Sequence, residues 1–302
     1  MTRKTLISAF LILGVALCVR TSFGQSRHSS HGDAATEGTV LSVIAARTDS
    51  KTDRILPTQL NLFENGVEQK IKNFSADPSP AKIVILVDNS QGLQVSVEDM
   101  KKAVMEFAYE IFEGDELFVI AYDTKPEIIQ EWTADAKKLE ASLSTLRKQG
   151  NPYLFDAMHS AVKEVLQPLM PGTRKTAVVV ITDGLDRGST AKYDKVLNEL
   201  QQENIVVYSL QIPDRTGGAY RRDQPKANAI VTKLAEETGG LVFPFEESST
   251  AAKTICDELR KNRYLLSYTP ADASSYDARK LLLIGDEGLS LRTKAAQPPN
   301  VR

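Results

Sequence analysis

Unbroken apolar runs alternate along this chain with segments whose apolar residues recur every three or four positions. Residues 82–87 (KIVILV) and 176–182 (TAVVVIT) are continuous apolar runs, as expected of strands buried on both faces, and 115–122 (DELFVIAY) and 205–212 read as further strands. Between them, 97–112 carries Met100, Val104, Phe107, Ala108 and Ile111 at helical spacing. Helices are likewise expected at 134–146, 153–166, 193–203, 227–237 and 249–262, with short strands at 127–132 and 241–245. Thr238, Gly239 and Gly240 stop the fifth of these helices. Such alternation specifies an α/β fold: a doubly wound, mainly parallel sheet covered on both faces. Ligands then bind beyond the carboxyl ends of the strands, so the loops after Val87, Tyr122, Thr182 and Ile212 are where chemistry is expected.

The flanks follow a different rule. Strand-like runs at 59–63 and 67–74 enclose Glu64-Asn65-Gly66, a strong hairpin signal because both turn residues must accept positive φ. With a weaker strand at 39–46 they form an N-terminal β segment, 39–76, closed by Asp77-Pro78-Ser79-Pro80. Residues 263–269, 279–284 and 289–293 read as three more strands with no helix between them. The C-terminal segment 263–294 is therefore expected to pair with 39–76 as a small accessory β unit beside the α/β domain (81–262). Residues 295–302 read as a frayed tail.

The N-terminus adds a compartment. Arg3 and Lys4 precede an apolar run at 6–19, followed by small residues before Gln25, so 1–24 reads as a cleaved export signal. The alternatives are a retained anchor and a lipidated Cys18, although Leu17 is bulkier than a lipidation site requires. Residues 25–38 (QSRHSSHGDAATEG) form a polar linker, in which His28 and His31 make a poor metal site. The expected location is extracytoplasmic, periplasmic or secreted, with no integral span in the mature chain. Losing 1–24 removes Arg3, Lys4 and Arg20 and leaves 34 basic against 39 acidic side chains, a net charge of −5. That balance argues against a nucleic-acid partner. Cys256 is then the single cysteine, read as a small buried residue with no disulfide partner.

Three loops at the expected sheet edge carry the candidate chemistry: Asp88-Asn89-Ser90-Gln91-Gly92, Gly150-Asn151-Pro152-Tyr153-Leu154-Phe155-Asp156-Ala157, and Asp183-Gly184-Leu185-Asp186. They resemble the von Willebrand factor A domain, a Rossmann-type fold. With 62–71 (LFENGVEQKI) upstream and 264–270 (YLLSYTP) downstream, the chain is similar to an exported bacterial family built around such a domain, first described from acidobacteria. The resemblance implies a metal-ion-dependent adhesion site. There an Asp-x-Ser-x-Ser loop, a Thr and a later Asp hold Mg²⁺, and an acidic group of a partner protein replaces a metal-bound water. Asp88, Ser90 and Asp183 match. The second Ser position is Gly92 and the Thr position is Pro152, and neither offers a side-chain oxygen. The site is therefore degenerate: two carboxylates and one hydroxyl, hard oxygen donors for Mg²⁺ but fewer than usual. Without a metal, Asp88 and Asp183 would serve as acceptors for loop N–H groups. Asp156 is read as an acid at a helix N-terminus and Asp123 as a turn former.

A long polar loop, 213–227, leaves the same edge, and its Arg215, Tyr220, Arg221 and Arg222 are candidate partner contacts. Enzyme readings are poorly supported. Neither a Gly-x-Gly-x-x-Gly nor a Gly-Lys-Ser/Thr loop follows the first core strand. His159, the one histidine of the α/β body, lies inside a helix without a nucleophile elbow. The expected function is a non-enzymatic protein-binding module for adhesion or assembly. The alternatives are a metal-independent structural or assembly protein and a metal-dependent hydrolase at Asp88 and Asp183.

Overall fold

The computed structural model describes residues 38–170, 172, 175–214, 226–271 and 276–299. Residues 1–24, expected as an export signal, nearly all of the expected linker, and Arg215, Tyr220, Arg221 and Arg222 lie outside the described residues. The strands are β1 (Thr39–Arg47), β2 (Leu60–Glu64), β3 (Val67–Gln69), β4 (Ile71–Ala76), β5 (Lys82–Asp88), β6 (Glu116–Tyr122), β7 (Pro126–Thr133), β8 (Thr176–Thr182), β9 (Val206–Gln211), β10 (Val242–Pro244), β11 (Arg263–Tyr268), β12 (Arg279–Gly285), β13 (Leu289–Thr293) and β14 (Ala296–Gln297). The helices are α1 (Val97–Glu110), α2 (Ala136–Leu143), α3 (Leu154–Ser160), α4 (Tyr193–Gln202), α5 (Ala227–Thr238) and α6 (Ser248–Lys261).

Six strands form the central sheet in the order β10-β9-β8-β5-β6-β7. All pairs are parallel except β6 with β7. Alternation along β5 divides the core: Ile83, Ile85 and Val87 face α1, α2 and α6, whereas Val84 and Leu86 face α3, α4 and α5. Every residue of β8 is buried, which explains its unbroken apolar run. Helix boundaries have local causes. Ser96 accepts the Asp99 N–H at the start of α1, Asp135 accepts those of Lys137 and Lys138 at the start of α2, and Gly239 ends α5 at φ 86°. The helix expected over 153–166 is α-helical only to Ser160 and continues as a π-helix over 161–166.

The flanking segments pair as the sequence suggests. Sheet β13-β1-β11-β4 faces sheet β14-β12-β2-β3 across Leu41, Val43, Leu60, Leu62, Phe74 and Leu266. Asn65 (φ 50°) and Gly66 (φ 80°) turn β2 into β3. One expectation fails. Residues 296–297 are not frayed; they form β14 against Arg279 and Lys280, and Gln297 is buried. Two residues are too short for any periodicity to show.

Candidate functional site

After β5 the chain lays β6 and β7 on one side of that strand, then β8, β9 and β10 on the other. The reversal makes the carboxyl ends of β5 and β8 a topological switch point, the place where open α/β sheets bind ligands. Asp88 ends β5, Thr182 ends β8, and parallel register sets them level: Val87 lies opposite Ile181, and Asp88 opposite Tyr122 of β6. The sequence-predicted acids and hydroxyl converge here.

Asp88 is fully buried. Its Oδ1 accepts the Ser90 N–H at 2.9 Å and its Oδ2 accepts the Thr182 hydroxyl at 3.0 Å. Thr182 Oγ1 in turn accepts the Gly184 N–H, and Asp183 Oδ1 accepts the Leu185 N–H, each at 3.0 Å. These bonds wind both strand ends into tight turns and place Ser90 and Asp183 at the same edge, both largely buried. Burial pushes the Asp88 carboxyl up to about 7; the Asp183 charge adds to the rise and the Ser90 and Thr182 hydrogen bonds oppose it. Burial also raises Asp183, with Asp214 adding to the rise and Arg187 opposing it. Behind them, burial and the charge of Asp88 hold the Tyr122 phenol well above its ordinary value.

Hydrogen bonds from side chains and backbone tie the surrounding loops together. Asn89 Nδ2 donates to the Arg147 carbonyl, Gln149 N to Asn89, and Gln91 N to Gly150. Lys148 Nζ donates to the carbonyls of Leu93 and Val95. Asp156, read from sequence as a helix-start acid, takes the Thr190 N–H at 3.0 Å and the Ala191 N–H at 2.8 Å, tying α3 to the loop after β8. Asp186 accepts from Phe155 N and from Ser189. Asp123 accepts from Lys125 N and the Thr124 hydroxyl, each at 3.2 Å, and so forms a turn. Sequence reasoning gave Thr182, Tyr122 and Asp186 no role of their own. Strand register brings the first two to the site, and register leaves no local signature. His159 Nδ1 lies 2.7 Å from Glu199 on α4, and Cys256 is buried with its thiol pushed up to about 12 by burial. Neither points to chemistry.

Among the described residues no group of three or more His, Cys, Asp or Glu side chains is placed to hold a metal ion. The donors at hand are the carboxylates of Asp88 and Asp183 and the hydroxyl of Ser90. Hard oxygens of this kind suit Mg²⁺, which keeps several waters where protein ligands are few. A Cβ built on Gly92 meets nothing within 4 Å, so space for the missing hydroxyl persists. Pro152 is buried, and its carbonyl is committed to the Arg187 N–H at 2.8 Å. Asp88, Ser90 and Asp183 therefore fit a divalent cation in chemistry, with a reduced ligand count.

Comparison with known proteins places this architecture. No curated protein matches the chain. Among solved structures, von Willebrand factor type A from Catenulispora acidiphila is 10% identical, with 85% of this chain and 74% of that chain covered at a TM-score of 0.50. An aerotolerance-related membrane protein from Bacteroides fragilis, carrying multiple mutations to serine, is 23% identical over 60% of this chain and 99% of that one, at a TM-score of 0.47. Proximal thread matrix protein 1 from the mussel byssus, with zinc in its MIDAS motif, is 14% identical over 66% and 49%, at a TM-score of 0.46. The family model for the von Willebrand factor type A domain, commonly a non-enzymatic protein-interaction module, matches residues 82–258, from the first residue of β5 into α6. The chain belongs to the von Willebrand factor type A domain family.

Proposed function

We propose that this chain is an exported protein-binding module, for adhesion or assembly, that engages its partner through the carboxyl-edge loops of the central sheet. The observation that carries the reading is the meeting of two largely buried carboxylates, Asp88 and Asp183, with Ser90 at the switch point between β5 and β8. Asp88, Ser90 and Asp183 hold a divalent cation, Mg²⁺ by donor chemistry, in a degenerate adhesion site. When bound, the cation supplies a coordination position for a carboxylate of the partner. The chain's own part is to fix the donors: Thr182 and the Ser90 N–H orient Asp88, and the Leu185 N–H orients Asp183. Arg215, Tyr220, Arg221 and Arg222, which follow β9 in sequence, add a cationic contact to an acidic partner surface. Export rests on the apolar run at 6–19. Among the described residues no helix is long and apolar enough to cross a membrane.

A second reading has its own support. Both Asp88 oxygens already accept protein hydrogen bonds, and Gly92 and Pro152 offer no side-chain oxygen. Under it the acids brace the loops, and the protein assembles with its partner without metal. Fluorescence anisotropy of a labelled glutamate-rich peptide separates the two. The first reading expects binding in Mg²⁺, loss in EDTA, and weakening when Arg221 and Arg222 are changed to Glu. Binding that ignores EDTA supports the second reading, and failure to bind in Mg²⁺ removes the first.

A further inference from the structure

The central sheet ends at β7, which has β6 on one side and, among the described residues, no strand on the other. An unpaired edge presents a row of backbone donors and acceptors to any extended chain. Beside it lies a groove of about 510 Å³, between β7 and the helical stretch that follows α3. Its apolar floor includes Ile120, Trp132 and Leu169, and Ile128 stands at its edge 57% exposed, so the groove opens onto an exposed aliphatic side chain. Its charged lining residues are Glu131 and Glu164, both exposed and neither in an ion pair among the described residues.

We propose that this edge and groove form a second docking surface, which takes an extended polypeptide segment carrying lysine or arginine between aliphatic side chains. The segment adds a strand to β7, its aliphatic side chains enter the groove, and its cations meet Glu131 and Glu164. Strand addition of this kind draws affinity from main-chain bonds and specificity from alternate side chains. Charge selects the occupant. A second copy docked through the same face would set Glu131 and Glu164 against their own counterparts, which like-charge repulsion opposes. Pro126 and the register irregularities between β6 and β7 also work against indiscriminate edge pairing. This surface is separate from the carboxyl-edge site, and its use needs no metal.

Trp132 is the single tryptophan of the chain, so its emission reports groove occupancy directly. The probe is a short capped peptide of alternating valine and lysine, titrated in EDTA into the protein and into an Asp88→Ala variant. A saturable emission shift is expected in both. It should weaken about tenfold or more in Glu131→Lys/Glu164→Lys and vanish when alternate peptide amides are N-methylated. Both substitutions are at exposed positions, and matching circular dichroism melts establish that the variant folds. No shift, an equal response to the N-methylated peptide, or an equal response to a valine–glutamate peptide overturns the proposal. So does a concentration-dependent dimer in sedimentation that Ile128→Lys dissolves, because a second copy is then the occupant.

Discussion

Gly92 and Gly184 carry opposite consequences for nearby residues of the same edge. At Gly92 a new Cβ meets open space, so Gly92→Ser restores a hydroxyl at a ligand position without steric cost. The expected result is Mg²⁺ affinity tighter by about tenfold, roughly the value of one added charge-assisted oxygen contact, read by calorimetry. Gly184 sits at φ 82°, and its Cβ would fall 2.2 Å from the Ala227 carbonyl oxygen. Gly184→Ala is therefore expected to cost about 2 kcal/mol or more, seen as a lower urea midpoint with unchanged slope. An unchanged midpoint would mean that the β8 loop yields more easily than this packing implies. Asp88, Ser90 and Asp183 could be put at the sheet edge from sequence because their loops follow apolar strand runs and resemble those of the von Willebrand factor A domain. Thr182 and Tyr122 could not, because their part in the site depends on which strands are neighbours.

Among the elements, the long buried strands and amphipathic helices declared themselves through periodicity, and the Asn65-Gly66 turn through its chemistry. What stayed hidden were features set by tertiary contact: the change from α to π geometry at 161–166 and the two-residue β14. The accessory sandwich also hides its main polar tie. Glu64 on β2 accepts the Tyr268 hydroxyl from β11 at 2.8 Å and lies 3.0 Å from Arg279 Nη1 on β12, so one buried carboxylate joins both sheets. Removing one member leaves an uncompensated buried charge. Glu64→Ala is expected to destabilise the protein by about 3–5 kcal/mol in chemical denaturation, far more than loss of an exposed pair such as Lys102 with Asp99. A loss below about 1 kcal/mol would show that the sandwich does not depend on this tie.

For the molecule as a whole, the sandwich and the α/β domain share buried polar contacts. Lys294, between β13 and β14, donates Nζ to the Gln201 carbonyl in the last turn of α4 at 2.7 Å. Burial lowers its pKa from 10.5 to about 7, with Arg279 adding to the fall and Glu203 opposing it. Between about 7 and 10.5 the unfolded chain binds more protons at this lysine than the folded one. Its contribution to stability therefore rises as pH rises through that window, by roughly 2–4 kcal/mol at most. Wild type minus Lys294→Met, followed by denaturation across the window, isolates the effect from Cys256 and the tyrosines. A flat difference would mean that Lys294 stays protonated in the fold. Fold class and the alliance of the two flanking segments were both open to sequence reading because each follows from repeated patterning. The lysine's environment was not, since it depends on how the last strands fold back over α4.

The central claim is that the switch-point acids still hold a cation despite Gly92 and Pro152. Calorimetric titration of Mg²⁺ and Mn²⁺ into protein lacking residues 1–24, with Asp88→Ala alongside, tests it most directly. The account predicts saturable binding of one ion per chain that disappears in Asp88→Ala. No heat of binding up to millimolar metal, or binding that survives Asp88→Ala, would contradict it and leave the edge as a hydrogen-bonded brace.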